Sequence, residues 1–342
     1  MRYSMRLTIL AIALLSAHCA FAAADTAGMP AKEAALADYV APAEPDYEEE
    51  KLRFQRGSML YYALPAYSVA VQTVGEVPDI RTLSQRAGKG EVQAQYRLGA
   101  AYARGHGVKQ DYQAARKWLL KAASQGYAKA QVFLGVMSEQ GIATPQDYAA
   151  ARQWYEKTAA RQSADGQFML GLMHYQGKGV PQDYAQARRW FGKAASRPTA
   201  PSAPAQVNLG WMLEYGQGGA QDYAQARQWY ARAADQGDTL GQYNLGTQYY
   251  LGKGVAQDYA QAEHWFRKAA EKNYAAAQYN LGVMALGQGE ARDPLAAYQW
   301  FRLVKLAFYP GGTYNIEKAV AELSPQQIEA AEQWVKRWQA TH

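Results

Sequence analysis

Apolar positions along this chain follow a helical spacing that is interrupted at regular intervals by glycine-containing loops. From about Glu91 to Arg104 they fall four residues apart, on one face of a predicted helix: Ala94, Leu98 and Tyr102. Gly105 follows where a left-handed residue would end this helix, and Asp111 is placed to cap the next one. The second predicted helix runs to about Gln125 and has its own apolar stripe: Ala115, Trp118, Leu119 and Ala122. Such a helix pair cannot bury its apolar face alone and must stack on copies of itself.

Copies of this unit follow at a nearly constant period. Leu-Gly pairs recur with spacings of 36, 36, 39, 36 and 36 residues, beginning at Leu98, Leu134, Leu170, Leu209, Leu245 and Leu281. Tryptophans keep the same period at Trp118, Trp154, Trp190, Trp229, Trp265 and Trp300. Periods of this length are typical of helical solenoids. The 39-residue spacing comes from a proline-containing insertion, Arg197 to Pro204, which is either a contact ridge or a neutral lengthening of the loop.

The repeated elements resemble those of the Sel1-like repeat family, a relative of the tetratricopeptide repeat. Ala-x-x-x-Leu-Gly, Gly-x-Gly-Val, Gln-Asp-Tyr and Trp-x-x-Lys-Ala-Ala all occur, and the resemblance spans roughly Ile80 to Leu306. It implies an all-α, right-handed solenoid of six antiparallel helix pairs that acts as a protein-binding adaptor, without implying a particular partner. Ala143 in place of the second loop glycine, and the loss of Lys-Ala-Ala after Trp300, depart from the family pattern.

Capping elements are predicted at both ends of the solenoid. Ile80 to Ala87 resembles the second helix of a partial repeat and can cover the first full unit. Ser324 opens a capping-box pattern with proline in the first turn, and one side of the helix that follows is apolar: Ile328, Ala331, Trp334, Val335 and Trp338. Together with the export signal described next, these caps divide the chain into four predicted segments. They are a signal peptide at 1–22, an acidic N-terminal segment at 23–79, the solenoid at 80–308 and capping helices at 309–342.

The beginning of the chain has the features of a secretory signal. Two arginines precede a short apolar run, and a small-x-small cleavage site ends at Ala22. The run is too short to span a bilayer, and no later stretch approaches 18 consecutive apolar residues. The residues before Cys19 disfavour lipidation of that cysteine. We expect cleavage near Ala22 and a periplasmic protein with no integral membrane span; secretion beyond the periplasm is the alternative.

Charge is distributed unevenly. The formal net charge is +6, with −5 between Asp25 and Arg81 and +9 from Thr82 to His342. A basic protein usually suggests a nucleic-acid partner, but an export signal argues against one. The better partners for a basic solenoid are an acidic protein surface, an anionic glycan, or the chain's own acidic run Glu48-Glu49-Glu50 folding over it.

Motifs for catalysis and metal binding are missing from the sequence. A single cysteine excludes a disulfide scaffold and a four-thiolate zinc site, and H-E-x-x-H, G-x-S-x-G and P-loop patterns do not occur. His106, His174 and His264 fall in different repeats without matching carboxylates. We predict no catalytic residue, no cofactor and no metal site. A hydrolase, such as the β-lactamase attributed to cysteine-rich relatives, is disfavoured because the mature chain would contain no cysteine.

A second set of residues faces away from the buried stripe of each first helix. Positions two before, two after and five after each repeat leucine turn away from it at about 100° per residue, and they line the concave groove in tetratricopeptide relatives. These rows are largely apolar and aromatic here. We therefore predict a partner-binding groove formed by Tyr96, Val132, Phe168, Leu172, Tyr175, Trp211, Glu214, Tyr243, Tyr250 and Tyr279. The alternative is that superhelical curvature buries much of this face, above all the row two before each leucine.

These features favour an exported, non-enzymatic adaptor that buries an apolar element of a partner protein while basic rims select an acidic one. The sharper hypothesis is an immunity or inhibitor protein against a toxin or enzyme delivered to the cell envelope. Binding to peptidoglycan or another anionic cell-wall glycan is the alternative from a different class, because tyrosine and tryptophan rings stack on sugars.

Overall fold

The computed structural model describes residues 79–199, 201–288, 292–306 and 312–342, and these residues form helices joined by short turns and loops. The predicted signal peptide, Cys19 and the acidic run of the N-terminal segment lie outside the described residues. The helices are α1 (Ile80–Gly88), α2 (Val92–Arg104), α3 (Tyr112–Ser124), α4 (Ala128–Gln140), α5 (Tyr148–Ala160), α6 (Ala164–Gln176), α7 (Tyr184–Ala195), α8 (Ala203–Glu214), α9 (Tyr223–Asp235), α10 (Thr239–Leu251), α11 (Tyr259–Ala270), α12 (Ala275–Val283), α13 (Pro294–Leu306), α14 (Gly312–Val320) and α15 (Pro325–Thr341).

Each repeat consists of a first helix, which we call the A helix, and a second, antiparallel B helix. The A helices of repeats 1 to 6 are α2, α4, α6, α8, α10 and α12, and the corresponding B helices are α3, α5, α7, α9, α11 and α13. A helices of neighbouring repeats contact one another directly, as α4 does with α6 and α8 with α10. The A helices α4, α6, α8 and α10 each pack against their own B helix, the preceding B helix and a neighbouring A helix, which leaves little of their circumference uncovered.

The Gln-Asp-Tyr sequence closes one helix and opens the next. The Asp111 side chain accepts a hydrogen bond of 2.9 Å from the backbone amide of Ala114, which confirms the predicted cap of α3. Gln110 donates from Nε2 to the carbonyl of Ala103 at 2.9 Å, so it satisfies the end of α2. Between them, Gly105 adopts φ +73°, the left-handed conformation that the sequence predicts. The capping role of the glutamine had no counterpart in the sequence-based interpretation.

The described residues divide into two compact units at the boundary between Ala277 and Gln278. In the first unit, α1 covers repeat 1 by packing Leu83 and Ala87 against Ala94 and Leu98, as expected of a cap. The insertion before α8 leaves the junction between repeats intact. Arg197 donates to the carbonyl of Gln162, a bond equivalent to the one of 3.2 Å that Arg161 makes to Gly126 one repeat earlier.

The second unit has its own core around α13, α14 and α15. Phe301, Ile316 and Ile328 are buried within it, and the rings of Trp300, Trp334 and Trp338 form a cluster with centroids 5.2–5.4 Å apart. Ser324 and Gln327 make both reciprocal bonds of a capping box, which confirms the predicted start of α15. Within the described residues, no helix is long and apolar enough to cross a membrane.

Candidate functional site

Five of the ten predicted groove residues are core residues: Tyr96, Val132, Phe168, Leu172 and Tyr243 are 3–6% exposed. The physical reason is the packing of the A helices on several sides. The ring of Phe168 lies 5.6 Å from that of Phe191 on its own B helix, and the ring of Tyr243 lies 5.7 Å from that of Phe266. This placement corrects the expectation that these residues line an open groove, and it favours the alternative in which the row two before each leucine is buried.

Glu214 is also buried, at 6% exposure, and is held by two partners. Its carboxylate accepts hydrogen bonds of 3.0 Å from the hydroxyl of Tyr230 and 3.0 Å from Nζ of Lys253, which comes from the loop of the next repeat. Because its charge and hydrogen-bonding capacity are used inside the protein, Glu214 stabilises the junction between repeats 4 and 5. The expectation that it contacts a partner is corrected accordingly.

Equivalent positions form a matched contact at the two preceding junctions. Glu139 in repeat 2 accepts from Tyr155 at 3.0 Å and pairs with Lys178 of the next loop at 3.4 Å. Tyr175, at the same position in repeat 3, instead faces Gln217 of the following loop. The three junctions from repeat 2 to repeat 5 are thus ionic, neutral and ionic in turn, and in each the residue at the end of the A helix is chemically matched to the next loop.

Buried tyrosines in these junctions predict a loss of stability at alkaline pH. Burial, and then the charge and hydrogen bond of a neighbouring glutamate, raise the pKa of Tyr155 and of Tyr230 well above the ordinary tyrosine value of about 10. Above that value the unfolded chain releases protons that the folded chain retains, so the free energy of unfolding falls as pH rises. Denaturant titrations between pH 9 and pH 11.5 should show this fall.

The tyrosine-to-phenylalanine variants test that cause. Phe191 and Phe266 occupy the same position in repeats 3 and 5, so the change follows a natural precedent within the chain. Combining Tyr155→Phe with Tyr230→Phe should flatten the dependence of unfolding free energy on pH above pH 10. Tyr112→Phe, at an exposed position, should leave it unchanged. An identical slope for the wild type and the double variant would contradict the assignment.

Half-buried aromatic residues gather where the A and B helices of repeats 3 to 5 meet. We call this surface the aromatic patch: Tyr175, Tyr184, Trp211, Tyr215, Tyr223 and Lys253. The ring centroids of Tyr175 and Tyr184 are 5.2 Å apart, and those of Trp211 and Tyr215 are 4.2 Å apart. Nζ of Lys253 lies 5.9 Å from the ring of Tyr215 and 5.7 Å from that of Tyr223. The cation therefore joins the aromatic residues of repeat 4 to the loop of repeat 5.

Burial affects the ionisation of a tyrosine at each end of the patch. It raises the pKa of Tyr175, whereas the facing polar groups of Gln217 and Trp211 act in the opposite direction. Burial and the nearby charge of Glu214 raise the pKa of Tyr215. Both phenols are thus neutral at physiological pH, and they offer hydrogen-bonding groups on largely apolar rings.

Trp211 departs from the preceding repeats at its position. Ala100, Val136 and Leu172 occupy the equivalent site in repeats 1 to 3 and are at most 6% exposed. Trp211 is half-buried within a stretch of α8 whose neighbouring residues are buried, and Thr247 at the equivalent position of repeat 5 is also partly exposed. Repeat 4 therefore places an aromatic surface where the earlier repeats have only core.

Of the other predicted groove residues, Tyr250 is half-buried next to Tyr259, with centroids 5.6 Å apart, and near the exposed Leu251. Tyr279 belongs to the second unit, where its hydroxyl accepts from Asn315 at 3.3 Å. The sequence-based interpretation missed Tyr184, Tyr215, Tyr223 and Lys253. Tyr215 could have been found from its place one helical turn after Trp211, whereas the others reach the patch from loops and B helices.

The described residues contain no group of three or more histidine, cysteine, aspartate or glutamate side chains that could hold a metal ion. The aromatic patch consists of aromatic rings, hydroxyl groups and a lysine that is paired with Glu214. Such a surface can bind by apolar burial and hydrogen bonding.

These observations define an α-helical repeat solenoid with an aromatic surface at its helix turns. The Sel1 repeat model matches residues 92–127, 128–163, 164–198, 203–238, 239–274 and 275–303. The chain belongs to the Sel1 repeat family, whose solenoids are a protein-interaction fold and are typically non-catalytic.

Several solved structures are similar to this chain. The protective antigen c5321 of uropathogenic Escherichia coli, which displays an SLR fold, is 30% identical with a TM-score of 0.61; the match covers 85% of this chain and 64% of c5321. This chain thus spans somewhat less than two thirds of c5321. A Sel1 repeat protein from Oxalobacter formigenes is 28% identical with a TM-score of 0.59, covering 67% of this chain and 100% of that one.

A more distant similarity is to immunity protein Pa5087 from Pseudomonas aeruginosa, with 19% identity, a TM-score of 0.42 and coverage of 74% and 87%. Comparison with curated proteins found no match.

Proposed function

We propose that this chain binds a partner protein through the aromatic patch and performs no chemistry on it. The observation that carries the proposal is Trp211, a half-buried tryptophan in contact with Tyr215 at a position where earlier repeats have buried aliphatic residues. The ring of Trp211 is not fully covered by its own repeat. It does provide the kind of aromatic anchor that dominates the binding energy of protein interfaces.

The geometry of the patch suits a preformed binding surface. Tyr175, Tyr184 and Tyr215 are already packed against aromatic neighbours, so a partner would immobilise few rotatable side chains when it docks. Lys253 is engaged with Glu214, and the patch itself therefore contributes little net charge. We infer that the partner presents an apolar segment with hydrogen-bonding groups to the rings, while the surrounding basic surface favours an acidic rim.

The proposal also covers the compartment in which the protein acts and the kind of partner that it inhibits. The sequence of the first 22 residues supports export, and we propose that the mature chain works in the periplasm. An inhibitor of a toxin or enzyme delivered to the envelope needs a rigid, preformed surface and no active site. A protein-interaction solenoid with the aromatic patch meets both needs.

Site-directed photocrosslinking tests the binding face. A photoreactive phenylalanine at Leu251, which is 49% exposed and two residues before Lys253, should crosslink a discrete protein in periplasmic extract. The same probe at Gln228, exposed on the B helix of repeat 4, should not. In the protein that carries the probe at position 251, the additional change Trp211→Ala should reduce the amount of crosslinked product by about tenfold or more, as expected of a hot-spot residue.

Trp229→Ala is the matched control because Trp229 is a half-buried tryptophan of the same repeat on the other helix. It should leave the crosslink from position 251 nearly unchanged. Equal losses from Trp211→Ala and Trp229→Ala would point to a general stability effect and contradict the proposal. Pelleting of the wild type, but not of the Trp211→Ala variant, with purified cell wall would instead assign the patch to glycan binding.

The inhibitor role needs a separate measurement. A strain lacking the protein should lose viability beside toxin-producing neighbours, and the wild-type chain should restore survival while the Trp211→Ala variant does not. Unchanged survival of the deletion strain, together with crosslinks only to endogenous assembly factors, would contradict inhibition while leaving the binding surface intact.

A further inference from the structure

A second feature of the solenoid is a periodic row of cations on the B helices. The residue three after each tryptophan of repeats 1 to 5 is basic, and we call this row the cationic ridge: Lys121, Lys157, Lys193, Arg232 and Lys268. Residues one before, three after and seven after these tryptophans lie on one helix face. Those fifteen positions hold ten lysine or arginine residues and no acidic residue. The face is therefore more basic than a mixed surface would be.

Each cation of the ridge stacks on its own tryptophan. The distances from the cation to the ring are 4.2, 5.5, 4.2, 4.5 and 4.4 Å in repeats 1 to 5. Stacking on an indole ring orders a flexible side chain without neutralising its charge. Lys178 and Lys253, in contrast, are paired with glutamates. The ridge is thus ordered and still positively charged.

A parallel set of cations connects successive repeats through neutral groups. Arg161, Arg197 and Lys272 lie seven residues after a tryptophan, and each donates to a backbone carbonyl of the preceding repeat. The positive charge of Arg197 also acts on the carboxyl group of Asp165 and favours its ionised form. In the described part of the chain, none of these three residues and none of the ridge cations forms an ion pair with a carboxylate. The partners of these cations are indole rings and carbonyl oxygens, which leave the charge available to a ligand.

Open clefts accompany the ridge at two junctions between repeats. One, of about 530 Å³, lies between repeats 2 and 3 and is lined by Glu156, Gln167, Trp190 and Lys193 among others. Another, of about 320 Å³, lies one repeat further and is lined by Arg197, Arg232 and Asp235 among others. Each cleft combines at least one cation with a carboxylate. A ligand that fills it must offer both negative charge and hydrogen-bond donors.

One polar atom in the larger cleft lacks a protein partner. Gln167 is 7% exposed, and its Oε1 makes no hydrogen bond to any of the residues that the structure describes. Its counterpart Gln206, in the next cleft, accepts from Gln236 at 2.6 Å. A buried acceptor left unpaired is costly unless water or a ligand satisfies it. The equivalent Oε1 atoms of Gln131 and Gln242 also lack a partner among the described residues, so the feature that distinguishes Gln167 is the cleft beside it, from which a hydroxyl or amide can donate.

We propose that the cationic ridge and its clefts form a second binding surface, separate from the aromatic patch, that takes a carboxylated polysaccharide. Its carboxylates meet the ordered cations, and its hydroxyls donate to Glu156, Gln167 and Asp235. Helices within a layer are spaced by about 10 Å, a distance comparable to the length of a disaccharide, so successive cations of the ridge can meet successive carboxylates of the polymer. An anionic lipid surface would leave the clefts unfilled, and a polyphosphate chain would supply no donor to them.

Alginate oligosaccharide is a suitable probe, with the full chain titrated in a calorimeter at low and at physiological salt. The variant Lys157→Gln, Lys193→Gln and Arg232→Gln removes three ridge cations. The control Lys89→Gln, Arg97→Gln and Lys109→Gln removes three exposed cations elsewhere and causes the same change in net charge. We expect the ridge variant to bind alginate at least about tenfold more weakly, and the control less than about twofold more weakly.

Three comparisons complete the test. Gln167→Leu should weaken alginate binding with no change in net charge, and Trp211→Ala should leave it unaltered. Circular dichroism should show the same melting temperature, within a few degrees, for the ridge and control variants. Equal weakening by both charge variants, tighter binding of polyglutamate or of phosphatidylglycerol vesicles than of alginate, or no binding of alginate would each overturn the proposal.

Discussion

Replacing Glu214 with alanine should lower the free energy of unfolding by about 3 kcal/mol, as expected when one partner of a buried ion pair is removed. Two groups lose their acceptor at once. The hydroxyl of Tyr230 is on a side chain with 0% exposure, and Nζ of Lys253 is on a side chain with 28% exposure. Neither group recovers full hydration where it lies, so most of the desolvation cost remains in the folded state. Urea titration followed by circular dichroism measures the loss.

The equivalent glutamate of repeat 2 is the control. Glu139 is more exposed than Glu214, its ion pair with Lys178 is longer at 3.4 Å, and Lys178 is 41% exposed. Glu139→Ala should therefore cost about half as much as Glu214→Ala, or less, because water can solvate the abandoned lysine. A larger loss from Glu139→Ala than from Glu214→Ala would contradict the assignment of the cost to burial.

The neighbouring junction supplies a rescue. The junction between repeats 3 and 4 has Tyr175, Phe191 and Gln217 at the positions that Glu214, Tyr230 and Lys253 occupy around the next junction. Combining Glu214→Tyr, Tyr230→Phe and Lys253→Gln replaces an ionic contact by the neutral one. We expect this triple variant to unfold at higher urea than Glu214→Ala, because the hydroxyl and the ammonium group that Glu214→Ala leaves without their acceptor are removed as well. In a solenoid with nearest-neighbour coupling, the change acts chiefly at one junction.

Helix boundaries could be predicted from the sequence because local groups determine them. Asp111 caps α3, Gly105 ends α2 in a left-handed conformation, and Ser324 opens α15, all as the residue types indicate. These features depend on residues within four positions of each other. The 36-residue period then repeats the same local solution, which made the order of the helices predictable throughout the repeats.

The aromatic surface could be predicted only in part because it depends on how many neighbours an A helix has. A helical projection measures angles from one buried stripe and assumes that the opposite side faces solvent. In α6, however, all residues from Gly166 to Met173 are buried. The sequence of that stretch is apolar on every side, which is itself typical of a fully packed helix. Tyr175 remains half-buried because it lies beyond that stretch, and Trp211 interrupts the otherwise buried run from Ala205 to Glu214 in α8.

The cationic ridge illustrates a different limit. The regular tryptophans and the lysines three residues later are visible in the sequence as a family pattern. Stacking between them follows from their spacing on a helix. The clefts cannot be inferred from that spacing, because Trp190 and Gln167 come from different helices and meet across a junction between repeats. Sequence periodicity identifies the cations, and only packing identifies the recess beside them.

Two glycines of repeat 3 should respond in opposite directions to alanine. In Gly171→Ala, a Cβ on α6 would lie 2.5 Å from Cε1 of Phe191, a ring with 0% exposure that has no room to move, and we expect a loss of about 2 kcal/mol from overpacking. In Gly192→Ala, on α7, a Cβ would meet nothing within 4 Å, and the better helix propensity should add about 0.5–1 kcal/mol.

The two variants share the same gain in helix propensity, so the difference between their unfolding free energies isolates the close approach of α6 and α7. The same approach is expected from Gly99 in repeat 1, where a Cβ would lie 2.8 Å from Cγ of Leu119. Adding Phe191→Leu to Gly171→Ala should recover part of the loss by removing the ring, whereas adding it to Gly192→Ala should only cost stability. Urea titrations in which both glycine variants shift stability equally would show that the repeats do not depend on this contact for their packing.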